Sequence, residues 1–352
     1  MTSLEELRVC SWDTASDCGS AHSRMLAEAQ QHGGALIETC QRLEAMNFGP
    51  CGHPTCQSRV GESAFAYLCA LAAGIESVVL GETEIVGQLR LAGRHASPAL
   101  ENVITRAVAV GRTFRRRHDL AADAGQLFDL GIAATGIKKP RSVLIAGSGP
   151  TTRRLAARAA ESGSSVTVAS RTKPAWGDAA HITWTSLAHV PDVSSDVAFV
   201  ALGGDAPILH AESIRAAAVV DVSTPRRTEH SDPRVVTLVA LRERTLAKEH
   251  ELRSSLKTNL RADVQQAIEA WRRDASSPIG RLRQSVEQMR QEELQRLRRR
   301  HPEIPEATIE ALTRSMVNRM FHQPVVRLKS LEPEIAASVA DLFAAPANGG
   351  RN

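Results

Sequence analysis

The sequence predicts an α/β fold in three regions: an α+β region over 1–137, a parallel sheet with crossover helices over 138–238, and a long linking helix followed by a helical module over 239–345. Three observations predict it. The first 137 residues mix short apolar runs with helical spacing. Short β-branched runs separated by helical stretches follow. From Arg234 to Ser277 neither Pro nor Gly interrupts a recurring apolar stripe.

In the first region a short strand precedes Cys40. Helical spacing runs through Ala64 to Ala73, from Glu84 to Arg94, and again after Ser97-Pro98, where Leu100, Val103, Ile104, Ala107 and Val108 share a face. In the second region the β-rich runs are Ser142–Ala146, Ser165–Ala169, Val197–Leu202 and Val219–Val222. The first run enters Gly147-Ser148-Gly149 and then, through Pro150, Thr151 and Thr152, a helix rich in Arg and Ala. That order puts the glycines where a pyrophosphate meets helix N–H groups, so the region reads as Rossmann-like. Thr152 replaces the third glycine of the fingerprint and is expected to loosen the packing of helix on strand. The second run ends at Ser170-Arg171-Thr172, where an NAD-binding domain usually carries an acid for the ribose hydroxyls. An arginine there favours a 2′-phosphate and hence NADPH; a solvated arginine at a strand end is the alternative.

In the third region Leu252, Leu256, Leu260, Val264, Ile268 and Trp271 mark one long amphipathic helix. Ile279, Leu282, Val286 and Met289 mark a second, broken at His301-Pro302, and Ile309, Leu312, Met316 and Met320 a third. Such seams fit a dimerisation module, with an intramolecular bundle as the competing arrangement. Residues from about Ala345 onward read as a frayed tail.

At 352 residues, with 43% apolar and 23% charged residues, the chain is long enough to bury a core without disulfides. Aromatics make up only 3%, so the core is built from Ala, Leu, Val and Ile, and base stacking is not how the protein holds nucleic acid. The net charge is +4, and arginine clusters at 115–117 and 298–300 suit either phosphate contact or a solvated helix face. Met1-Thr-Ser-Leu-Glu-Glu is no signal peptide and no stretch is apolar enough for a bilayer, so a cytoplasmic protein is expected. Six cysteines (Cys10, Cys18, Cys40, Cys51, Cys56 and Cys69) crowd into the first fifth of the chain and read as thiols. Cys51, His53 and Cys56 have zinc-ligand chemistry but lack a second pair, so a Gly/Pro loop without metal is expected.

Cys40 stands where the apolar run Ala35-Leu-Ile meets what reads as the first turn of a helix, behind a Thr39 N-cap. Helix N–H groups there lower a thiol pKa and favour the thiolate nucleophile. A small packed cysteine is the alternative.

Five motifs occur in order: Thr-Cys-x-Arg-x-Glu at 39–44, Gly-Ile-Glu-Ser-Val-Val-Leu-Gly-Glu-Thr-Glu-Ile-Val-Gly-Gln at 74–88, Ser-Arg-Thr at 170–172, Asp-Val-Ser-Thr-Pro-Arg at 221–226, and the segment from Leu312 to Lys329. Together they resemble the glutamyl-tRNA reductase family over roughly Gly34 to Lys329. The resemblance implies an N-terminal catalytic domain, an NADP-binding domain and a C-terminal dimerisation domain. It also implies NADPH-dependent reduction of glutamyl-tRNA to glutamate-1-semialdehyde, the first step toward 5-aminolevulinate and porphyrins. Cys40 is then the nucleophile that forms a thioester, and Tyr67 occupies the place of the family's active-site histidine. Thr39, Gln41, Arg42, Glu44, Ser77, Glu82, Thr83, Glu84 and Gln88 surround the glutamyl group, with Arg42 on its carboxylate. Gly147 to Thr152 and Ser170 to Thr172 hold the cofactor. A homodimer, and handover of the product to glutamate-1-semialdehyde aminomutase, follow from the same likeness. Gln41 stands for the usual asparagine, the family's N-terminal Asn-His-Lys has no counterpart at Arg8–Asp13, and Gly125–Leu130 replaces a Ser-rich stretch. The competing readings are a reductase of another aminoacyl-tRNA or carrier-bound acyl group, and a non-catalytic tRNA-binding paralogue.

Overall fold

The computed structural model describes residues 4–12, 33–39, 42–49, 56–120, 122, 125–176, 182–203, 206–223, 226–229 and 232–343. They pack as two units, residues 2–264 and residues 265 onward. The first unit opens with an antiparallel sheet of β1 (Leu7–Trp12), β2 (Ala35–Thr39), β3 (Arg42–Phe48) and β4 (Gln57–Val60), in the order β2-β3-β1-β4. The helix expected to start behind Thr39 is absent. Thr39 ends β2 and pairs with Arg42 at the start of β3. Local helix propensity in Arg-Leu-Glu-Ala-Met is a weak prior, and here β1 supplies a second ladder to β3 from Leu43 to Phe48 that overrides it. Cys40 and Gln41 lie outside the described residues, as do Cys18, Cys51, His53 and the tail from Ala344.

Helices α1 (Glu62–Ala72), α2 (Glu84–Arg94) and α3 (Pro98–Arg117) follow where the spacing predicts them. Ser97 caps α3 by accepting from the Leu100 N–H, and Pro98 takes the first helical position, where no N–H is needed. The C-terminal end of α1 lies so close to α3 that only Gly111 fits between them. A Cβ there would meet the backbone of Ala72 and Ala73 at 2.6–2.7 Å.

After α4 (Gln126–Thr135) comes a six-stranded parallel sheet: β5 (Ser142–Ala146), β6 (Ser165–Ser170), β7 (Ile182–Ser186), β8 (Ser194–Val200), β9 (Arg215–Asp221) and β10 (Val235–Thr237). Helix α5 (Pro150–Glu161) crosses from β5 to β6. The order β10-β9-β8-β5-β6-β7 is the doubly wound arrangement, with its switch point between β5 and β8. Val143, Ile145, Val166 and Val168 face one core, and Leu144, Ala146 and Ala169 the other, so both faces are covered. β7 and β10 are additional to the runs predicted from sequence.

One uninterrupted helix from the nucleotide sheet onward is not what forms. Helix α6 (Leu238–Lys248) buries Leu238 and Leu241 in the sheet's core, and α7 (His250–Ser276) begins after a break at Glu249. Along α7, Leu256, Leu260, Val264 and Ile268 are buried, whereas Leu252 is exposed and its neighbour Arg253 is buried instead. In the second unit, α8 (Pro278–Arg300), α9 (Glu306–Leu328) and α10 (Pro333–Asp341) enclose Leu282, Val286, Leu328, Ala336 and Ala340. Leu312, Met316 and Met320 remain exposed on α9, as does Met289 on α8. Among the described residues no helix is long and apolar enough to cross a membrane.

Replacement Gly111→Ala forces α1 and α3 apart and is expected to lower unfolding stability by about 1–3 kcal/mol, the usual cost of overpacking. Urea denaturation checks this; an unchanged midpoint would refute the close approach.

Candidate functional site

Pleating of β3 puts Arg42, Glu44 and Met46 on one face of the sheet. A helix would have separated Arg42 from Glu44; the strand aligns them, and both are buried, at 4% and 1% exposure. Neither is a solvated surface charge. Ser11 of β1 stands opposite Glu44 in register, and its hydroxyl donates to the carboxylate at 2.5 Å. Tyr67 of α1 donates its hydroxyl to the other carboxylate oxygen at 2.5 Å. Arg59 of β4 donates to the Ser11 hydroxyl at 2.9 Å and lies 3.8 Å over the Tyr67 ring. Burial dominates the titration of Glu44 and raises its pKa, against the opposing pull of Ser11, Tyr67, Arg42 and Arg59. Burial, with the Glu44 charge second, pushes the Tyr67 hydroxyl well above its ordinary 10.0, so it is a neutral donor and not a proton shuttle near neutrality.

Arg42 also reaches the loop between α1 and α2. Its Nη2 donates to the Glu76 carbonyl at 2.5 Å, while Nη1 is buried without a hydrogen-bond partner. A buried guanidinium nitrogen left unpaired is costly, and a carboxylate is its natural complement. The loop's base is closed by Gly74 and Gly81, both at positive φ, with the Gly81 N–H on the Gly74 carbonyl at 3.0 Å. A Cβ on Gly74 would meet Gly81 at 2.7 Å, so the closure requires glycine. Ser77 is buried in this loop; Glu82, Thr83, Glu84 and Gln88 follow it into the start of α2, with Thr83 exposed and the others half-buried. Glu84 pairs with Arg154 on α5.

A cleft of about 360 Å³ opens at the carboxyl ends of β5, β6, β8 and β9, lined by Gly147, Ser148, Gly149, Thr151, Ser170 and Arg171, among others. This is the switch-point crevice that accommodates a dinucleotide. Gly147 has φ +142°, and a Cβ there would collide with the Ala201 carbonyl and the Thr152 hydroxyl. Gly149 caps α5 with no atom near its missing side chain, leaving the helix N-terminus open to an anion. Thr152 does not loosen the packing. It is 0% exposed and fits beneath Gly147. Ser170 is turned to structure, accepting from the Trp184 indole at 3.0 Å and donating to the Thr172 carbonyl at 2.7 Å, while Arg171 and Thr172 are exposed.

Ser11, Arg59 and Arg253 are engaged residues to which the sequence assigns no role, and Asp221, which opens the motif at 221–226, is engaged as well. Asp221 accepts from the Ser223 and Arg227 N–H groups and the Thr228 hydroxyl, tying residues 223, 227 and 228 to the end of β9. The sequence carries a signal for Asp221 in its motif and for Arg253 in its spacing to Leu256 and Leu260, which puts it on the buried stripe. Cys69 is buried and its thiol is pushed up by burial, which makes it unreactive.

Two domain models of one family match, together covering more than half of the chain: the glutamyl-tRNA(Glu) reductase N-terminal domain over residues 3–118 and its dimerisation domain over 260–345. The glutamyl-tRNA reductase of Methanothermobacter thermautotrophicus is 28% identical, over 92% of this chain and 93% of its own length. That of Crocosphaera subtropica is 26% identical, over 76% and 72%. The solved glutamyl-tRNA reductase of Methanopyrus kandleri aligns over 96% of this chain and 98% of its own with 19% identity and a TM-score of 0.40.

A carboxyl whose folded pKa lies above the ordinary 4.5 binds its proton more tightly in the folded state, so its contribution to stability falls as pH rises through that window and levels off above the folded value. Replacing Glu44→Gln removes the titration. The stability of the variant relative to wild type is therefore expected to rise between pH 4.5 and neutrality; denaturant midpoints that differ by a pH-independent amount would contradict the assignment.

Proposed function

The chain belongs to the glutamyl-tRNA reductase family, and from that premise we propose that it reduces glutamyl-tRNA(Glu) to glutamate-1-semialdehyde with NADPH, the first step toward 5-aminolevulinate and porphyrins. The observation that carries the reading is the succession, in one chain, of a reductase N-terminal domain, a doubly wound parallel sheet and a reductase dimerisation domain.

Cys40 is the nucleophile. Its thiolate attacks the ester carbonyl of the aminoacyl group, the terminal ribose oxygen of the tRNA leaves and takes a proton, and the acyl group rests on sulfur as a thioester. A thioester has weaker resonance than an ester and accepts hydride more readily. NADPH, when bound, supplies that hydride. Collapse of the resulting thiohemiacetal expels the Cys40 thiolate and releases the aldehyde. Arg42 receives the substrate's side-chain carboxylate, a role its unpaired Nη1 supports. Glu44, held by Ser11 and Tyr67, fixes the face of β3 from which Arg42 projects. Tyr67 acts as a positioning donor where the family has histidine. Thr39, Gln41, Ser77, Glu82, Thr83, Glu84 and Gln88 complete the substrate surroundings.

The nucleotide cleft fits the cofactor on its own features: Gly147 leaves no side chain in the turn, Gly149 opens the N-terminus of α5, and Arg171 stands at the end of β6 with no acid among the described residues lining the cleft. Ser148, Pro150, Thr151 and Thr152 complete the turn, and Ser170 and Thr172 flank the arginine. The helices from Gln265 onward form the homodimer contact, supported by the dimerisation-domain match. A reactive aldehyde product suits direct transfer to glutamate-1-semialdehyde aminomutase in the cytoplasm.

Incubation with charged glutamyl-tRNA, with and without NADPH, tests the reading. Wild type plus NADPH is expected to give the semialdehyde, omission of NADPH to give tRNA discharge without reduction, and Cys40→Ser to give neither. A Cys40→Ser protein as active as wild type would remove the mechanism. Replacing Arg171→Ala is expected to reduce the preference for NADPH over NADH by about 10- to 150-fold, equivalent to the loss of one charge-assisted hydrogen bond of about 1.5–3 kcal/mol. Steady-state kcat/KM for the two cofactors measures it.

A further inference from the structure

We infer that Arg253, on the first turns of α7, is a positioning residue for acyl transfer: its guanidinium sets the shape of the Gly74–Gly81 loop that borders the substrate. The inference rests on the function proposed above. Arg253 is 4% exposed and spends all five of its N–H donors. Nη1 donates to the carbonyls of Ile75 and, at 2.8 Å, Ser77; Nη2 donates to the Val78 carbonyl at 3.1 Å and to Glu249 at 2.7 Å; Nε donates to Glu249 at 3.0 Å. Arg42 holds the one carbonyl of this run that Arg253 leaves, that of Glu76. One turn along α7, Lys257 pairs with the Glu76 carboxylate at 2.8 Å.

The loop's own sequence cannot dictate this shape. Four successive carbonyls turned toward cations form no helix or sheet ladder, so their conformation is held from outside by donors of fixed geometry. The two arginines meet the same four-residue segment, and one of them carries the unpaired nitrogen assigned to the substrate carboxylate. A displaced loop therefore moves the Glu76 carbonyl, and with it the guanidinium of Arg42, relative to the acyl group. Glu249 neutralises Arg253 from the break between α6 and α7, so the same contact ties the loop to the end of the helix that packs on the nucleotide sheet.

The full-length Arg253→Lys variant keeps the positive charge but offers one nitrogen where five donors in a planar fork are needed. Three readouts separate positioning from simple support of the fold: single-turnover acyl transfer from glutamyl-tRNA to Cys40 without NADPH, alkylation of Cys40 by iodoacetamide, and NADPH binding. Acyl transfer is expected to fall about 10- to 100-fold, the cost of misplacing a substrate-holding group, with alkylation and NADPH affinity unchanged. Amide exchange is expected to quicken within residues 75–81. Glu249→Gln, which keeps the shape and loosens the pair, is expected to show the same pattern more weakly and serves if Arg253→Lys does not fold. Acyl transfer at the wild-type rate, or a fall matched by equal losses in alkylation and NADPH binding, overturns the proposal. Failure of wild type itself to take an acyl group ends the functional reading instead, an outcome distinct from equal transfer by wild type and variant.

Discussion

Four consecutive carbonyl oxygens, from Ile75 to Val78, all accept from arginine, three from Arg253 and one from Arg42. Much of the substrate region follows from that constraint. The loop is closed by two glycines at positive φ, and its exit sets the start of α2, where Glu82, Thr83, Glu84 and Gln88 lie. A single strand, β3, delivers one clamp, and a helix nearly 180 residues away in sequence delivers the other. The geometry is therefore a tertiary property that no segment encodes alone.

Burying Arg42 and Glu44 is not a route to stability. Removing such charges from water costs several kcal/mol per ion, and mutual attraction with good hydrogen bonds does little more than offset it. What the arrangement gives is definition: Glu44 is held by two hydroxyls from opposite sides, one on β1 and one on α1, and Arg59 caps both. Tyr67 suits this role, since a phenol that stays neutral donates one hydrogen bond and keeps it across the physiological range.

The parallel sheet was legible because β5, β6, β8 and β9 each carry a short apolar run bounded by Gly or polar residues, the local signal of parallel strands buried on both faces. The three-residue β10 is too short to stand apart from the helix that follows it, and the half-buried β7 alternates apolar with polar residues in place of a continuous apolar run. The hairpin at Thr39–Arg42 was misread for the opposite reason: its residues are good helix formers, and its second ladder partner, β1, lies some thirty residues upstream. The break at Glu249 carries neither Gly nor Pro, because it is set by where α6 and α7 find their separate cores. For the site, the motif residues Arg42 and Glu44 could be picked out, but their partners Ser11 and Arg59 become neighbours only through strand register.

Register also explains why the thiol motif needs a strand and not a helix. On a helix, residues two apart diverge by about 200°, so Arg42 and Glu44 would face opposite ways. Along β3 they point together into the space covered by α1, and Thr39, paired with Arg42, belongs to the same face through β2. Residues 42–48 form a strand, so no helix dipole acts at this point of the chain. The Arg42 guanidinium, with Nη1 buried and without a hydrogen-bond partner, favours an anion on this face of the sheet.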